Sequence, residues 1–249
     1  MEVTKMYKND AFKKYLNLER PKNEGENDIY VYGTIGESWW EESVSANAIK
    51  RKLSNVKDGD IHLYINSFGG SVFDGISIYN QLKRHSSKVI VHVDGIAASA
   101  ASLIAMAGDE IIMPANSMLM VHRASTFAWG NREVFEQQLN ALDKIDQSVT
   151  NTYMKRFLGE RSEMEELLKN ETWLTAEECK AFGLCDEIAD ETEEPNEQPS
   201  PEDVKNNLLQ KYTARAGQKT PKQVEDVEEP KKTKKPITNM MMNYLENNK

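Results

Sequence analysis

Cysteine and histidine are scarce in this chain of 249 residues, which contains two cysteines and four histidines. Cys179 and Cys185 lie in one predicted helix and its exit, which is neither a disulfide framework nor a Cys-x-x-Cys metal motif. The histidines His62, His85 and His92 are scattered singly, with no His-x-x-x-His pair or carboxylate cluster at ligand spacing. The sequence therefore predicts no metal and no cofactor, and it favours a reduced compartment.

Long apolar runs and an excess of basic residues are also missing. No run approaches the roughly 18–20 apolar residues that span a bilayer, and residues 1–5 lack the apolar core of a secretory signal. The 31 Lys and Arg against 40 Asp and Glu give a net charge of −9, which disfavours nucleic acid as a partner. A G-x-x-x-x-G-K-[ST] loop is absent, so ATP hydrolysis is not predicted. We expect a cytoplasmic protein without membrane or nucleic-acid partners.

Alternating strand and helix patterns fill the segment from residue 60 to residue 123. The strands are predicted at residues 61–66, 88–93 and 117–122, and the helices at residues 75–82 and 97–108. Asp94-Gly95 is predicted to end the second strand. Near-continuous apolar strands joined by helices predict an α/β fold whose parallel sheet is covered on both faces.

Ser99 lies where a predicted strand gives way to a predicted helix. Backbone N–H groups are unpaired at the start of a helix, and the helix dipole favours negative charge there. If Ser99 attacks a carbonyl carbon, the resulting oxyanion finds a donor in the N–H of Ala100. Ser102 is predicted to face the packing side of the helix, and Ser67 lacks the strand-to-helix position. The alternative is that Ser99 is only a small residue in a crowded helix.

Two further segments complement Ser99. Gly69 and Gly70 follow the first strand, where bare backbone approaches a ligand closely and presents N–H groups to it. His122 ends the third strand, and a histidine beside a nucleophile is the expected general base. Taken alone, a Gly-Gly pair also marks ordinary turns, and a single histidine is more often a packed or solvated imidazole.

Three ordered motifs resemble the proteolytic subunit of Clp protease. They are Asn-Ser-Phe-Gly-Gly at residues 66–70, Gly-Ile-Ala-Ala-Ser at residues 95–99, and Met-Val-His at residues 120–122. Residues 32–40 and 171–178 resemble more closely the Clp-like head maturation (prohead) proteases of tailed bacteriophages. The resemblance covers residues 29–188 and implies the Clp/crotonase fold, a spiral of ββα units with a long handle helix.

The resemblance also implies a set of catalytic groups. It makes Ser99 the nucleophile and His122 the general base, with the N–H groups of Gly70 and Ala100 as the oxyanion site. The family's acid stands two positions before an aromatic-Leu-Ser/Thr-Ala segment, which here is residues 173–176.

That spacing puts Glu171 in the position of the family's aspartate, and its extra methylene changes the reach of the carboxylate. Asp146 and Asp143, on the long helix, are the alternatives for this role. Phe68 is a second departure, since it stands where the family usually has proline before the Gly-Gly pair.

Several functions remain in competition. The first is a serine endopeptidase, a phage head maturation protease that processes capsid, portal or scaffold proteins. The second is the proteolytic subunit of an ATP-dependent Clp protease that works with a separate AAA+ unfoldase. A crotonase-type acyl-CoA enzyme shares the backbone oxyanion site but does not need the pair of Ser99 and His122. A non-catalytic shell subunit is supported only by the departure at Glu171.

The expected organisation has three parts. Residues 1–27 are predicted to be a flexible arm, residues 28–189 the Clp-like protease domain, and residues 190–249 a charged, disordered tail. Residues 131–158 form the longest helical pattern and carry one apolar stripe. A protruding helix needs a partner for such a stripe, so we expect a ring-like homo-oligomer.

Overall fold

A computed structural model describes residues 25, 27–38, 42–189, 205–207, 209–210 and 212, all within the first of two structural units, residues 1–216. Between residues 25 and 189 the described chain forms eight strands and six helices. The strands are β1 (Asp28–Ile35), β2 (Ser43–Val44), β3 (Ile61–Gly70), β4 (Val89–Ala98), β5 (Glu110–Pro114), β6 (Met118–Val121), β7 (Thr172–Thr175) and β8 (Glu187–Ala189). The helices are α1 (Ala46–Leu53), α2 (Val72–Lys83), α3 (Ala100–Ala105), α4 (Arg132–Tyr153), α5 (Arg161–Lys169) and α6 (Ala176–Ala181).

The strands form one sheet in the order β2-β1-β3-β4-β5-β8, and β6 pairs with both β4 and β7. Every described pair is parallel except β6 with β7, which is antiparallel. Parallel neighbours require crossover connections, and helices α1 to α3 supply them between the first strands. The predicted α/β fold class is confirmed. No helix in the described part of the chain is long and apolar enough to cross a membrane.

Strand β4 continues to Ala98, so the prediction that Asp94-Gly95 ends it is wrong. Its first half pairs with β5, and its second half, residues 96–98, pairs with β6. Asp94-Gly95 therefore marks the place where β4 exchanges one neighbour for another. Because residues 97 and 98 belong to the strand, α3 begins only at Ala100 and is shorter than the predicted helix over residues 97–108.

The two faces of the sheet differ in burial. Eight side chains of one face are at most 1% exposed: Ile29, Val31, Ile61, Leu63, Ile65, Val89, Val91 and Val93. The alternating residues on the other face are only half-buried, and four of them stack across three strands in the order Tyr30, Tyr64, His92 and His62. In the described chain this second face is therefore less completely covered than the prediction of cover on both faces requires. His62 and His92, which are scattered in the sequence, lie side by side in the structure, with Nδ1 of His62 3.1 Å from Nε2 of His92.

Helix α4 begins as predicted, with Asn131 as its N-cap, but it ends at Tyr153 rather than at Leu158. The N–H of Leu158 donates to the carbonyl of Phe182, at 3.0 Å, so the chain has already turned towards the end of α6. Burial is confined to the last turns of α4, at Val149, Thr150, Thr152 and Tyr153.

Strand β7 was not predicted from the sequence, and the last strand of the described chain, β8, occupies Glu187–Ala189. Trp39 and Trp40, in the segment that resembles the phage proteases, lie outside the described residues, as do nearly all of the arm and most of the tail. Within the tail, Tyr212 is 9% exposed, and its hydroxyl lies 3.1 Å from the Glu178 carboxylate oxygens.

Candidate active site

Ser99 stands between β4 and α3 in a left-handed backbone conformation, with φ 55° and ψ −123°. A residue with a Cβ atom rarely adopts this region, at a cost of roughly 1–3 kcal/mol. The N–H of Ser99 donates to the carbonyl of Met120 at 2.9 Å, and its carbonyl accepts from Oγ of Ser102 at 2.7 Å. These bonds hold the serine at the tip of a sharp strand-to-helix turn.

His122 directly follows β6, and its Nε2 atom lies 2.7 Å from Oγ of Ser99. The parallel pairing of β4 with β6 places Ala98 opposite Met120. The chain therefore leaves both strands at the same edge of the sheet, where the two side chains meet. A separation of this size suits removal of the hydroxyl proton by the imidazole.

Gly69 and Gly70 bring the end of β3 against the turn at Ser99. A Cβ atom at Gly69 (φ +97°) would lie 2.7 Å from Cβ of Ser99 and 2.9 Å from N of Ala100. At Gly70 (φ +147°) it would lie 2.2 Å from the carbonyl oxygen of Ile35. Only glycine fits such positions. Ala100 begins α3, so its N–H has no acceptor within the helix and is free for an oxyanion.

A cavity of about 260 Å³ adjoins both Ser99 and His122. Its apolar wall is formed by Val72, Phe73, Leu103, Val149 and Tyr153. Burial raises the pKa of Tyr153 above its usual value, and its hydroxyl lies 2.7 Å from Oγ of Ser102. That polar group is therefore satisfied inside the protein, and this wall of the cavity suits contact with an apolar side chain.

In the described part of the chain, the acid candidates form no hydrogen bond with the imidazole of His122. Val121 of β6 is opposite Thr172 of β7 in the antiparallel pair, so the next positions outward are His122 and Glu171. Glu171 is exposed and has a φ of 49°. Among the described residues, no hydrogen bond joins its carboxylate to His122.

The two alternative acids are likewise placed elsewhere. Oδ1 of Asp146 accepts from the N–H of Ala124 at 2.8 Å, and Oδ2 lies 3.9 Å from Nε of Arg123. Asp143 is exposed on the same helix. In the ranges that the structure describes, neither carboxylate hydrogen-bonds to His122.

Other candidate nucleophiles are accounted for by packing. Ser102 is fully buried, as predicted, and bonds to the carbonyls of Ser99 and Met120. Burial raises the pKa of the Cys185 thiol to about 11, which suppresses the reactive thiolate. No group of three or more His, Cys, Asp or Glu in the described chain is arranged to hold a metal ion. Sequence reasoning missed the contact of Tyr153 with Ser102, which no local pattern signals because the two lie 51 positions apart.

Comparison with known proteins identifies the family of this chain. The profile of the Clp protease family matches residues 8–192. The ATP-dependent Clp protease proteolytic subunit of Deinococcus radiodurans is 29% identical over 169 residues, which cover 67% of this chain and 82% of that protein. Because the profile spans well over half of the sequence and the central sheet with its helices is consistent with the Clp protease fold, the chain belongs to the Clp protease family of serine peptidases.

Proposed function

We propose that this chain is a serine endopeptidase in which Ser99 attacks the peptide carbonyl while His122 takes its proton. The observation that carries the proposal is the distance of 2.7 Å between Nε2 of His122 and Oγ of Ser99. Attack gives a tetrahedral adduct whose oxyanion accepts from the N–H groups of Gly70 and Ala100. His122 then returns the proton to the leaving amine, and water hydrolyses the acyl-enzyme in the same way.

Glu171 is the orienting acid in this proposal. Its support is its register position opposite His122, at the open end of the pair of β6 and β7. Catalytic hydrogen bonds are often long in the absence of substrate and tighten in the complex. We expect the Glu171 carboxylate to reach the imidazole when substrate or assembly closes this end of the sheet.

We further propose that the active unit is a homo-oligomeric ring. Phe135 and Leu139 on α4 are 48% and 62% exposed, and Phe127 and Trp129 just before it are 90% and 89% exposed. Large apolar side chains gathered in one exposed region are typical of protein interfaces. A ring that encloses the active sites would admit only unfolded or extended chains.

Two biological roles follow from different observations. Residues 36–40 and 171–173 support processing of capsid, portal or scaffold proteins during phage head maturation, which we favour. The similarity to the proteolytic subunit from Deinococcus radiodurans supports a subunit that works with a separate AAA+ unfoldase. Either role is carried out in the cytoplasm. A crotonase-type reaction is disfavoured, because it has no use for the hydrogen-bonded pair of Ser99 and His122.

The test of the chemistry is reaction with a fluorophosphonate probe, followed by peptide mapping of the labelled residue. We expect the label on Ser99 and none on the Ser99→Ala variant. A wild-type protein that takes up no label overturns the proposal. For the biological role, portal and major capsid genes beside this gene would support head maturation. Degradation of folded substrates only with an unfoldase and ATP would support the second role.

A further inference from the structure

We infer that Asp146 is a positioning residue for His122, because its hydrogen bond to the backbone of Ala124 sets the path of the chain as it leaves the imidazole. The inference rests on the proposed function, since it concerns the same pair of Ser99 and His122. Asp146 acts through the backbone, because within the described chain its carboxylate has no hydrogen bond to His122.

The two residues after His122 are each held by their backbone N–H group. The N–H of Arg123 donates to the carbonyl of Leu168 at 3.1 Å. The N–H of Ala124 donates to Oδ1 of Asp146 at 2.8 Å. A hydrogen bond to a charged acceptor is stronger than one to a neutral carbonyl. The ion pair of Asp146 with Arg123 contributes little, because its atoms are 3.9 Å apart and the Arg123 side chain is 51% exposed.

This anchor matters because β6 ends at Val121. Residues 122–129 have no regular secondary structure, so no ladder of backbone bonds holds the chain beyond the histidine. Pairing of Val121 with Thr172 fixes the chain before the imidazole, and Asp146 fixes it afterwards. Displacing a catalytic group by about 1 Å can cost on the order of 10² in rate.

The same helix also reaches the nucleophile. Tyr153 lies two turns after Asp146 on α4, and residues at this spacing share one helix face. The hydroxyl of Tyr153 bonds to Oγ of Ser102, which bonds to the carbonyl of Ser99, each at 2.7 Å. Helix α4 therefore reaches both catalytic residues. Through Asp146 it bonds to the backbone just after His122, and through Tyr153 and Ser102 it is linked to the carbonyl of Ser99.

The test compares kcat, KM and the rate of fluorophosphonate labelling among variants of the full-length protein. Asp146→Ala should lower kcat by roughly 10- to 100-fold and change KM by less than about threefold. Asp146→Asn keeps an oxygen acceptor for the N–H of Ala124 and should stay within about threefold of wild type. Asp143→Ala, one turn earlier on α4, and Arg123→Ala are matched controls that should leave kcat nearly unchanged. Asp146→Ser replaces Asp146→Ala if the alanine variant does not fold.

Wild-type kcat in Asp146→Ala would overturn the inference. So would an equal loss in Asp146→Asn, which would mean that the charge acts rather than the hydrogen bond. Amide hydrogen exchange at Ala124 separates this inference from the proposed function. If the wild-type protein takes up no fluorophosphonate label, the proposed function fails. Amide hydrogen exchange at Ala124 then tests by itself whether Asp146 anchors the backbone. Faster exchange in Asp146→Ala but not in Asp146→Asn supports the anchor, and equal exchange in all proteins overturns it.

Discussion

Oγ of Ser99 and Nε2 of His122 lie 2.7 Å apart, although 23 positions separate the two residues in the sequence. We predict that Ser99→Ala and His122→Ala each reduce peptide cleavage by on the order of 10⁶, the loss typical of removing the nucleophile or the base of a serine protease. Because the two residues act as a unit, the double variant should be little worse than either single variant. Cleavage of a fluorogenic peptide measures all three.

The control for this prediction is Ser102→Ala, which removes a buried hydroxyl one turn further along α3. This variant should still be labelled on Ser99, with a lower stability from its lost hydrogen bonds. Cleavage retained by Ser99→Ala, or a label that moves to Ser102, would remove Ser99 from the mechanism.

Glu171→Ala should lower kcat by on the order of 10³–10⁴, because the imidazolium loses its orienting charge. Glu171→Gln should lower kcat nearly as far, since it keeps the shape and removes the charge. Thermal unfolding of both variants serves as the control for folding. If both cleave at the wild-type rate while Asp146→Asn is inactive, Asp146 is the acid and Glu171 is not.

Gly69→Ala should abolish activity and destabilise the fold, because its Cβ would press on Ser99 from 2.7 Å. The matched control is Gly59→Ala, which has a similar φ of +121° but meets only Nδ2 of Asn27, at 3.4 Å. That control suffers backbone strain of roughly 1–3 kcal/mol without a clash and should keep its kcat. Urea unfolding and peptide cleavage measure the two effects, and an active Gly69→Ala would contradict the close approach.

Phe135→Asp combined with Leu139→Asp should dissociate the expected ring, because both exposed apolar side chains lie one turn apart on α4. Asn140→Asp adds charge on the exposed part of the same helix and should leave assembly intact. Val149 is unsuitable for this test, since it is 3% exposed and a charge there would disrupt the core. Light scattering gives the mass, and a double variant that still assembles would refute the interface.

The stability of the protein should fall as the pH drops below about 6.5. Burial lowers the pKa of His92 below its usual 6.5, and the charge of His62 lowers it further. The carboxylates of Asp94, Asp28 and Glu110 oppose this shift without cancelling it. The unfolded chain therefore binds this proton more readily than the folded chain, so stability is full above that pH and is lost below it. Urea midpoints at about pH 7.5 and pH 5 test this, and His92→Gln should reduce the difference. An unchanged difference in His92→Gln would assign the pH dependence to other groups.

Much of the fold was predictable because it depends on nearby residues. The α/β class follows from the apolar period of the strands and helices. The turn at Ser99 and the start of α4 at its cap Asn131 follow from local chemistry over a few positions. The inward position of Ser102 follows from its helical spacing to Ser99.

Features that depend on distant partners were missed. Asp94-Gly95 looks like a strand end locally, but residues 96–98 find a new neighbour in residues 118–120 of β6. Strand β7 has four residues whose types, Thr-Trp-Leu-Thr, do not alternate between apolar and polar, and it exists because β6 offers a free edge. A strand of this kind is decided by its pairing partner more than by its own propensity.

The sequence by itself determined which residue types stand at the ends of the strands, namely Gly70, Ser99 and His122, and hence which chemistry is available there. Only the tertiary structure decided which side chains meet. It joined His62 to His92 and placed Asp146 on the backbone of Ala124 rather than on His122. The reason is that the hydrophobic period of a strand or helix specifies which of its faces is buried. The register between strands and the packing of α4 determine which side chains of different elements come into contact.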